Sequence, residues 1–259
     1  MNSLNFDLAE FLEAKFEQYN QKWFIETDPI QIPHAFSQKE DIEIAAFISS
    51  TLAWGMRPLI IKAGKEIINR MDNAPYDFIM NAQIDDFEIF NNFVYRTFNT
   101  SDITFFLKSL QNIYRNHRGL EALFTDSYLE HNSIKEAISA FRQIFFQIPF
   151  PNRSSKHISD VNKNSAAKRI NMFLMWMVRN DHRGVHFGLW KSISPKHLIL
   201  PLDTHTSRIG KELGLLSRKQ NDWIAANEIT ENLRKFDAND PVKYDFSLFG
   251  FGVFEKKLK

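Results

Sequence analysis

Residues 165–181 read SAAKRINMFLMWMVRND, and this run decides the fold class. At about 100° per residue, Ile170, Phe173, Leu174 and Met177 share one helical face, while Met172, Met175 and Trp176 cover most of the remainder. A helix apolar nearly all round belongs at the centre of a folded body. Lys168 lies on one line with Met172, Met175 and Arg179, roughly opposite the main stripe. It either faces a second core or a cleft, or sits ahead of the buried part and snorkels to water. In a cleft, the positive end of the helix and desolvation both disfavour the ammonium form, which is the setting of a nucleophilic amine.

Working outward, the pattern stays helical. Thr100-Ser101-Asp102 precedes Ile103, Phe106, Leu107, Leu110, Ile113 and Tyr114, and Asn132-Ser133 precedes Ile134, Ala137, Ile138, Phe141, Ile144 and Phe145. Both are polar starts followed by apolar residues at i, i+3, i+4, i+7. Residues 4–19 predict an amphipathic helix through Leu8, Leu12 and Phe16. Residues 41–71 predict two helices with a bend near 53–58, where Gly55 and Pro58 fall. The weaker pattern of 76–100 predicts short helices and loops. Asp203 opens a helix closed by Gly214, residues 222–236 form another, and the tail from Tyr244 is a last helix or an extended cap. The stretch 149–165, with two prolines and four serines, is the longest loop. The expectation is an all-α, two-lobed helical bundle in a single compact domain over 1–259, with lobe one about 41–150 and lobe two about 1–40 plus 151–259.

Composition agrees. Of 259 residues 44% are hydrophobic and only nine are glycine, too few turn residues for a many-stranded barrel or sandwich. With 32 basic and 31 acidic residues, any electrostatic case has to be local. The absence of cysteine excludes disulfides, thiolate catalysis and cysteine-ligated metal sites. The N-terminus lacks the basic-then-apolar order of a secretory signal, and no run reaches the length of a membrane span, so a cytoplasmic protein without a membrane partner is expected. The eight histidines form no tight ligand pattern, the Gly-Phe-Gly at 250–252 lacks a dinucleotide context, and no nucleophilic serine elbow appears. No metal and no cofactor are expected.

The second informative stretch is PLDTHTSRIGKELGL at 201–215. An aspartate that opens a helix is first of all an N-cap. The stretch also resembles the signature around the catalytic carboxylate of the helix-hairpin-helix DNA glycosylase superfamily, with Leu202, Asp203, Thr204, His205, Arg208, Ile209, Leu213, Gly214 and Leu215 in matching places. Residues 165–181, the Gly188-Leu189-Trp190 triplet and YDFSLFGFGV at 244–253 are similar to an uncharacterised bacterial family related to those glycosylases. The resemblance implies a helix-hairpin-helix glycosylase fold, a catalytic role for Asp203 and, less directly, one for Lys168, with Lys163 a lesser candidate. Two departures stand out. The glycine-rich hairpin that binds a DNA phosphate has no glycine counterpart in 149–165, and the Lys168 to Asp203 spacing is longer than in the endonuclease-type members.

Between Arg153 and Arg183 seven basic residues, Arg153, Lys156, Lys163, Lys168, Arg169, Arg179 and Arg183, face only Asp160 and Asp181. Such an excess lines a phosphate backbone or is a solvated loop balanced elsewhere. Trp176 either stacks on an extruded base or belongs to the core. The resulting expectation is a DNA-repair glycosylase of base excision repair acting on duplex DNA with a damaged base. Lys168 and Asp203 carry the chemistry, and Lys163, Arg169, Trp176, Arg179, His205 and Arg208 contact DNA. No obligate protein partner is inferred. The alternative is a non-catalytic nucleic-acid-binding or helical interaction protein of the same fold.

Overall fold

The computed structural model describes residues 7–255. It is mostly helical, with twelve α-helices among the described residues: α1 (Leu8–Tyr19), α2 (Lys22–Thr27), α3 (Lys39–Thr51), α4 (Arg57–Arg70), α5 (Pro75–Asn81), α6 (Thr100–Asn116), α7 (Gly119–His131), α8 (Ile134–Phe145), α9 (Lys168–Val178), α10 (Thr204–Glu212), α11 (Trp223–Arg234) and α12 (Asp245–Gly250). The one sheet among them is a two-residue hairpin, β1 (Val94–Tyr95) with β2 (Phe98–Asn99), inside the stretch expected to hold only short helices and loops. Residues 4–6 of the predicted first helix lie outside the described residues.

The chain divides into two units. Unit 2 is Ile25–Lys163, and unit 1 comprises the described residues on either side, 7–24 and 164–255. The unit bounds therefore differ from the expected 41 and 150, and the hydrogen bonds give the reason. Ser49 Oγ in α3 donates to the Pro29 carbonyl at 2.8 Å, which ties the 29–35 turns to α3. Ser154 Oγ donates to Asp102 at 2.7 Å, and Arg153 donates to the Thr97 carbonyl at 2.9 Å, which ties the start of the 149–165 loop to α6 and to the hairpin turn before it. Its end is held by Asn162, whose amide donates to Ser139 Oγ in α8 at 2.8 Å. A loop with three such anchors belongs to the body it covers, whatever its serine and proline content.

Unit 2 has a phenylalanine core. Phe124 and Phe141 stack at 4.7 Å, Phe106 and Phe145 meet edge to face at 4.8 Å, and Phe47 joins Phe141 at 5.5 Å. Each of these rings is at most 1% exposed, worth roughly 1.5–3 kcal/mol of burial apiece. α6 starts where expected, but its N-cap is Asn99, which forms a reciprocal capping box with Asp102. α7 buries a stripe of Leu120, Phe124 and Tyr128, but Ala122 and the exposed Leu129 put apolar residues off that face as well and blur the pattern in the sequence.

In unit 1, α9 is central, with eight of its eleven residues buried. Phe173 meets the fully buried Trp190 edge to face at 5.3 Å. The 185–190 segment is fastened to the end of α9 by Phe187 N to Trp176 O and Trp190 N to Met177 O, at 2.9 and 3.0 Å. α1 packs against α12 so closely that a Cβ on Gly250 would lie 2.4 Å from the Tyr19 ring, and only glycine fits there. The last helix then runs into a single wide turn over Phe251–Glu255.

Candidate functional site

The N-terminal turn of α9 has an unusual construction. Asn164 and Ala167 both take the left-handed conformation, at φ 62° and 46°. Asparagine tolerates it, whereas alanine is disfavoured there by about 1–2 kcal/mol. The helix then begins at Lys168 with no side-chain cap and no acidic residue in its first turn. Cations occupy its first two positions, against the sign of the helix dipole. Burial brings Arg169 down to about 10. Lys168 is half-buried, with Nζ 3.5 Å from Met172 Sδ one turn on and no carboxylate partner among the described residues. Asn171, 1% exposed, donates to the Ala166 carbonyl at 3.0 Å, which leaves its Oδ1 buried with no partner.

This turn is bound to the start of α11. Ser165 and Asp222 form an isolated antiparallel bridge, Trp223 N donates to the Asn164 carbonyl at 3.0 Å, and the Asn164 amide donates to Asp222 Oδ2 at 2.8 Å. Asp222 also caps α11 through Ala225 N at 3.0 Å and receives the Arg218 guanidinium. The Arg218 bond is the main reason its carboxyl is held down to about 2. α10 joins the same joint from its flank, with Ser207 Oγ donating to Asn221 Oδ1 at 2.7 Å and Lys211 Nζ to the Lys219 carbonyl at 3.1 Å.

Asp203 caps α10 as its position predicts. Its Oδ1 accepts from His205 N at 2.8 Å and from Thr206 N at 2.9 Å, and its Oδ2 has no hydrogen-bond partner among the described residues. Leu200 and Leu202 bury the extended approach, and Leu200 N donates to Thr230 Oγ1 at 3.0 Å. His205 is exposed, with its ring 6.3 Å from that of Phe249. Arg208 donates to Glu212 at 2.9 Å and to the Gly252 carbonyl at 3.2 Å.

The remaining expected DNA contacts lie elsewhere. Trp176 is 3% exposed, so its ring is core and offers no face to a base. Arg179 is 1% exposed, donates to Asp181 at 2.6 Å and Asp240 at 2.8 Å, and lies over the Phe16 and Phe246 rings. It is the hub of a buried ion-pair set rather than a surface cation. Lys163 belongs to unit 2, where its side chain is 84% exposed and 4.0 Å from Asp160. Arg183 pairs with Glu17, and Arg153 lies 3.4 Å from Asp102. The basic excess of 153–183 is thus largely matched by acids remote in sequence, and at the start of α9 Lys168 keeps no carboxylate partner among the described residues. The joint through Asn164, Asn171, Arg218 and Asp222 escaped the sequence reading. Its one visible sign is Asn164, a residue type suited to the left-handed region. Among the described residues no group of three or more His, Asp or Glu could hold a metal ion.

The comparisons with known proteins correct one expectation. No helix-hairpin-helix glycosylase family accompanies the family that matches, so the assignment of this chain, or of its family, to that superfamily is overturned. The physical reason is that a buried apolar lead, an aspartate and a short amphipathic helix make up a general helix start, and a short stretch of that kind carries little family information. No curated protein and no solved structure matches the chain. The family model that does match, described as "Protein of unknown function (DUF2400)", spans residues 28–254, and the chain belongs to that family.

Proposed function

We propose that the N-terminal turn of α9 binds a nucleic-acid phosphate, and that the protein acts on DNA with Lys168 as an amine and Asp203 as a carboxylate in a base-excision reaction. One observation carries the reading: α9 opens on Lys168 and Arg169, uncapped and without an acid, after a left-handed Ala167. The first backbone N–H groups of a helix require acceptors, and two cations beside them oppose the helix dipole. A phosphate oxygen answers both at once.

The chemistry follows from the two side chains. Lys168 Nζ, as the free amine, forms a bond to C1′ of the deoxyribose as the C1′–N bond breaks. The base leaves with that bonding pair and takes up a proton. Asp203 Oδ2, free of the cap bonds, stabilises the positive charge that develops on the sugar. The nitrogen lone pair then forms a double bond to C1′ as the C1′–O4′ bond breaks, and O4′ leaves with that bonding pair and takes up a proton, which gives a protonated Schiff base to the opened sugar. A second reading rests on that same free oxygen: Asp203 directs water to C1′, and the base is released without a covalent step.

The test is duplex binding as a function of salt, beside borohydride trapping on duplexes with oxidised, alkylated, deaminated and abasic sites. Lys168→Gln and Arg169→Gln should each lower the slope of log affinity against log salt by about 0.9. A trapped adduct lost in Lys168→Ala supports the amine route, and base release without an adduct but dependent on Asp203 supports the water route. Salt-sensitive binding without adduct or release leaves the binding half and removes the chemistry. Binding unchanged in both charge variants overturns the proposal.

A further inference from the structure

Unit 2 carries a cleft of about 370 Å3 between the outer face of α6 and the segment that follows α5. Nothing in the DNA reading uses it. Lys108, Gln111, Asn112 and Arg115 form one wall, spaced as a single helical stripe, and Ile84 and Phe87 stand on the other. Lys108 and Arg115 have no carboxylate partner among the described residues. Lys108 Nζ lies 5.2 Å over the Phe87 ring, and Arg115 donates to the Met80 carbonyl. No carboxylate lines the cleft. The nearest in sequence, Asp85, Asp86 and Glu88, belong to the adjoining turn, and Asp86 already accepts from Gln83 N at 2.7 Å.

Two details make this wall more than a solvated helix face. Gln111 Nε2 donates to the Ile79 and Ala82 carbonyls at 2.8 and 3.0 Å, which locks α6 to the end of α5 and sets the cleft in place. The Asn112 amide is oriented by Asn116, whose Nδ2 donates to Asn112 Oδ1 at 2.9 Å. That bond leaves Asn112 Nδ2 as a buried donor with no partner.

We propose that this cleft binds a small molecule bearing a carboxylate or phosphate group. Lys108 and Arg115 supply the charge, and Ile84 with Phe87 supports a short apolar portion. The volume is at the small-ligand end of the range for such sites and too small for a macromolecular segment of any length. Two cations on a fixed wall that carries no carboxylate are a set that recognises an oxyanion.

The experiment is an NMR titration of the full-length protein, reading the side-chain amide signals of Gln111 and Asn112. The probes are phenyl phosphate and benzoate, with phenol and benzyl alcohol as uncharged counterparts. Saturable shifts with either anion and not with the alcohols are expected, and the better anion decides between phosphate and carboxylate. Lys108→Gln and Arg115→Gln should each weaken binding at least tenfold. Arg115→Lys should restore part of the loss, and the exposed Lys65→Gln should leave binding unchanged. Melting curves that overlay the unsubstituted protein show that the variants are folded. An equal response to the alcohols, or anion shifts that survive both charge substitutions, overturns the proposal, as does the absence of saturable shifts in the millimolar range. Because Lys168 and Arg169 are intact throughout, failure here is separate from failure of the DNA reading.

Discussion

Ser165 and Asp222 pair as an isolated antiparallel bridge, and through that bridge the turn ahead of α9 and the N-cap of α11 become one joint. The Asp222 carboxylate holds it from three sides, accepting from Asn164, Arg218 and Ala225 N. Asp222→Ala should therefore do more than uncap α11. Loss of the cap alone costs about 1 kcal/mol, and the α9 turn should loosen with it. The expected outcome is a lower urea midpoint together with weaker, less salt-sensitive duplex binding. A stability loss with binding intact would mean that α9 keeps its turn without the joint.

The same carboxyl makes the protein acid-sensitive in a defined window. Its folded value, about 2, lies below the ordinary 3.8, chiefly through Arg218 and then the Ala225 N–H and Asn164. A depressed carboxyl contributes stability that is present above the ordinary value and is lost as pH falls through the folded one. Asp181 is also held low: burial acts to raise it, but Arg179, Asn20 and backbone donors outweigh that. Asp240 goes the other way, raised by burial against the pull of Arg179, so it favours the folded state at lower pH. Urea midpoints measured from pH 5 downward should fall most steeply between about 4 and 2. Asp222→Asn should flatten part of that fall.

Asp203 can be separated into its two roles by choice of substitution. Asparagine caps a helix as well as aspartate does, so Asp203→Asn should keep the melting temperature while abolishing base release and sparing duplex affinity. Asp203→Ala should lose the bonds to His205 N and Thr206 N and about 1 kcal/mol with them. Base release that survives Asp203→Asn would reduce the residue to a cap.

Ala167 is 1% exposed and left-handed. Glycine should be tolerated there within about 1 kcal/mol, since relief of the backbone offsets the lost methyl. Valine, β-branched and larger, should cost about 2–4 kcal/mol by adding overpacking to the strain. Denaturant titration of the two variants checks this, and equal midpoints would contradict the left-handed turn.

Arg179→Leu leaves the partly buried Asp181 and Asp240 without their cation. Removing one partner of a buried ion pair costs about 3–5 kcal/mol. Because water reaches both carboxylates and Asp181 keeps Asn20 and backbone donors, the measured loss should lie at or below the lower end of that range, with duplex binding per folded molecule unchanged. A selective loss of binding would return Arg179 to the interface.

Much of the helical framework was legible in the chain. Periodicity located α6, α8 and the α3–α4 bend, because amphipathic faces and Gly55 or Pro58 act within a few residues of themselves. The Asp203 cap and the left-handed Gly214 were legible for the same reason. α7 was not, since apolar residues such as the exposed Leu129 lie off its buried Leu120–Phe124–Tyr128 stripe and blur the period. The basic excess of 153–183 misled, because the acids that meet Arg179 and Arg183 stand at 240 and 17, far off in sequence.

What the sequence by itself determined is the all-α class, the central place of α9 and the cap of α10, all set by contacts a turn or two away. Only the tertiary structure decided that Trp176 and Arg179 are interior, that Lys168 and Arg169 open an uncapped helix held to Asp222, and that Asn112 lines a cleft with one donor unmet. Burial and pairing are properties of neighbours in space. A residue's own sequence context does not carry the identity of a partner that folding brings from tens of residues away.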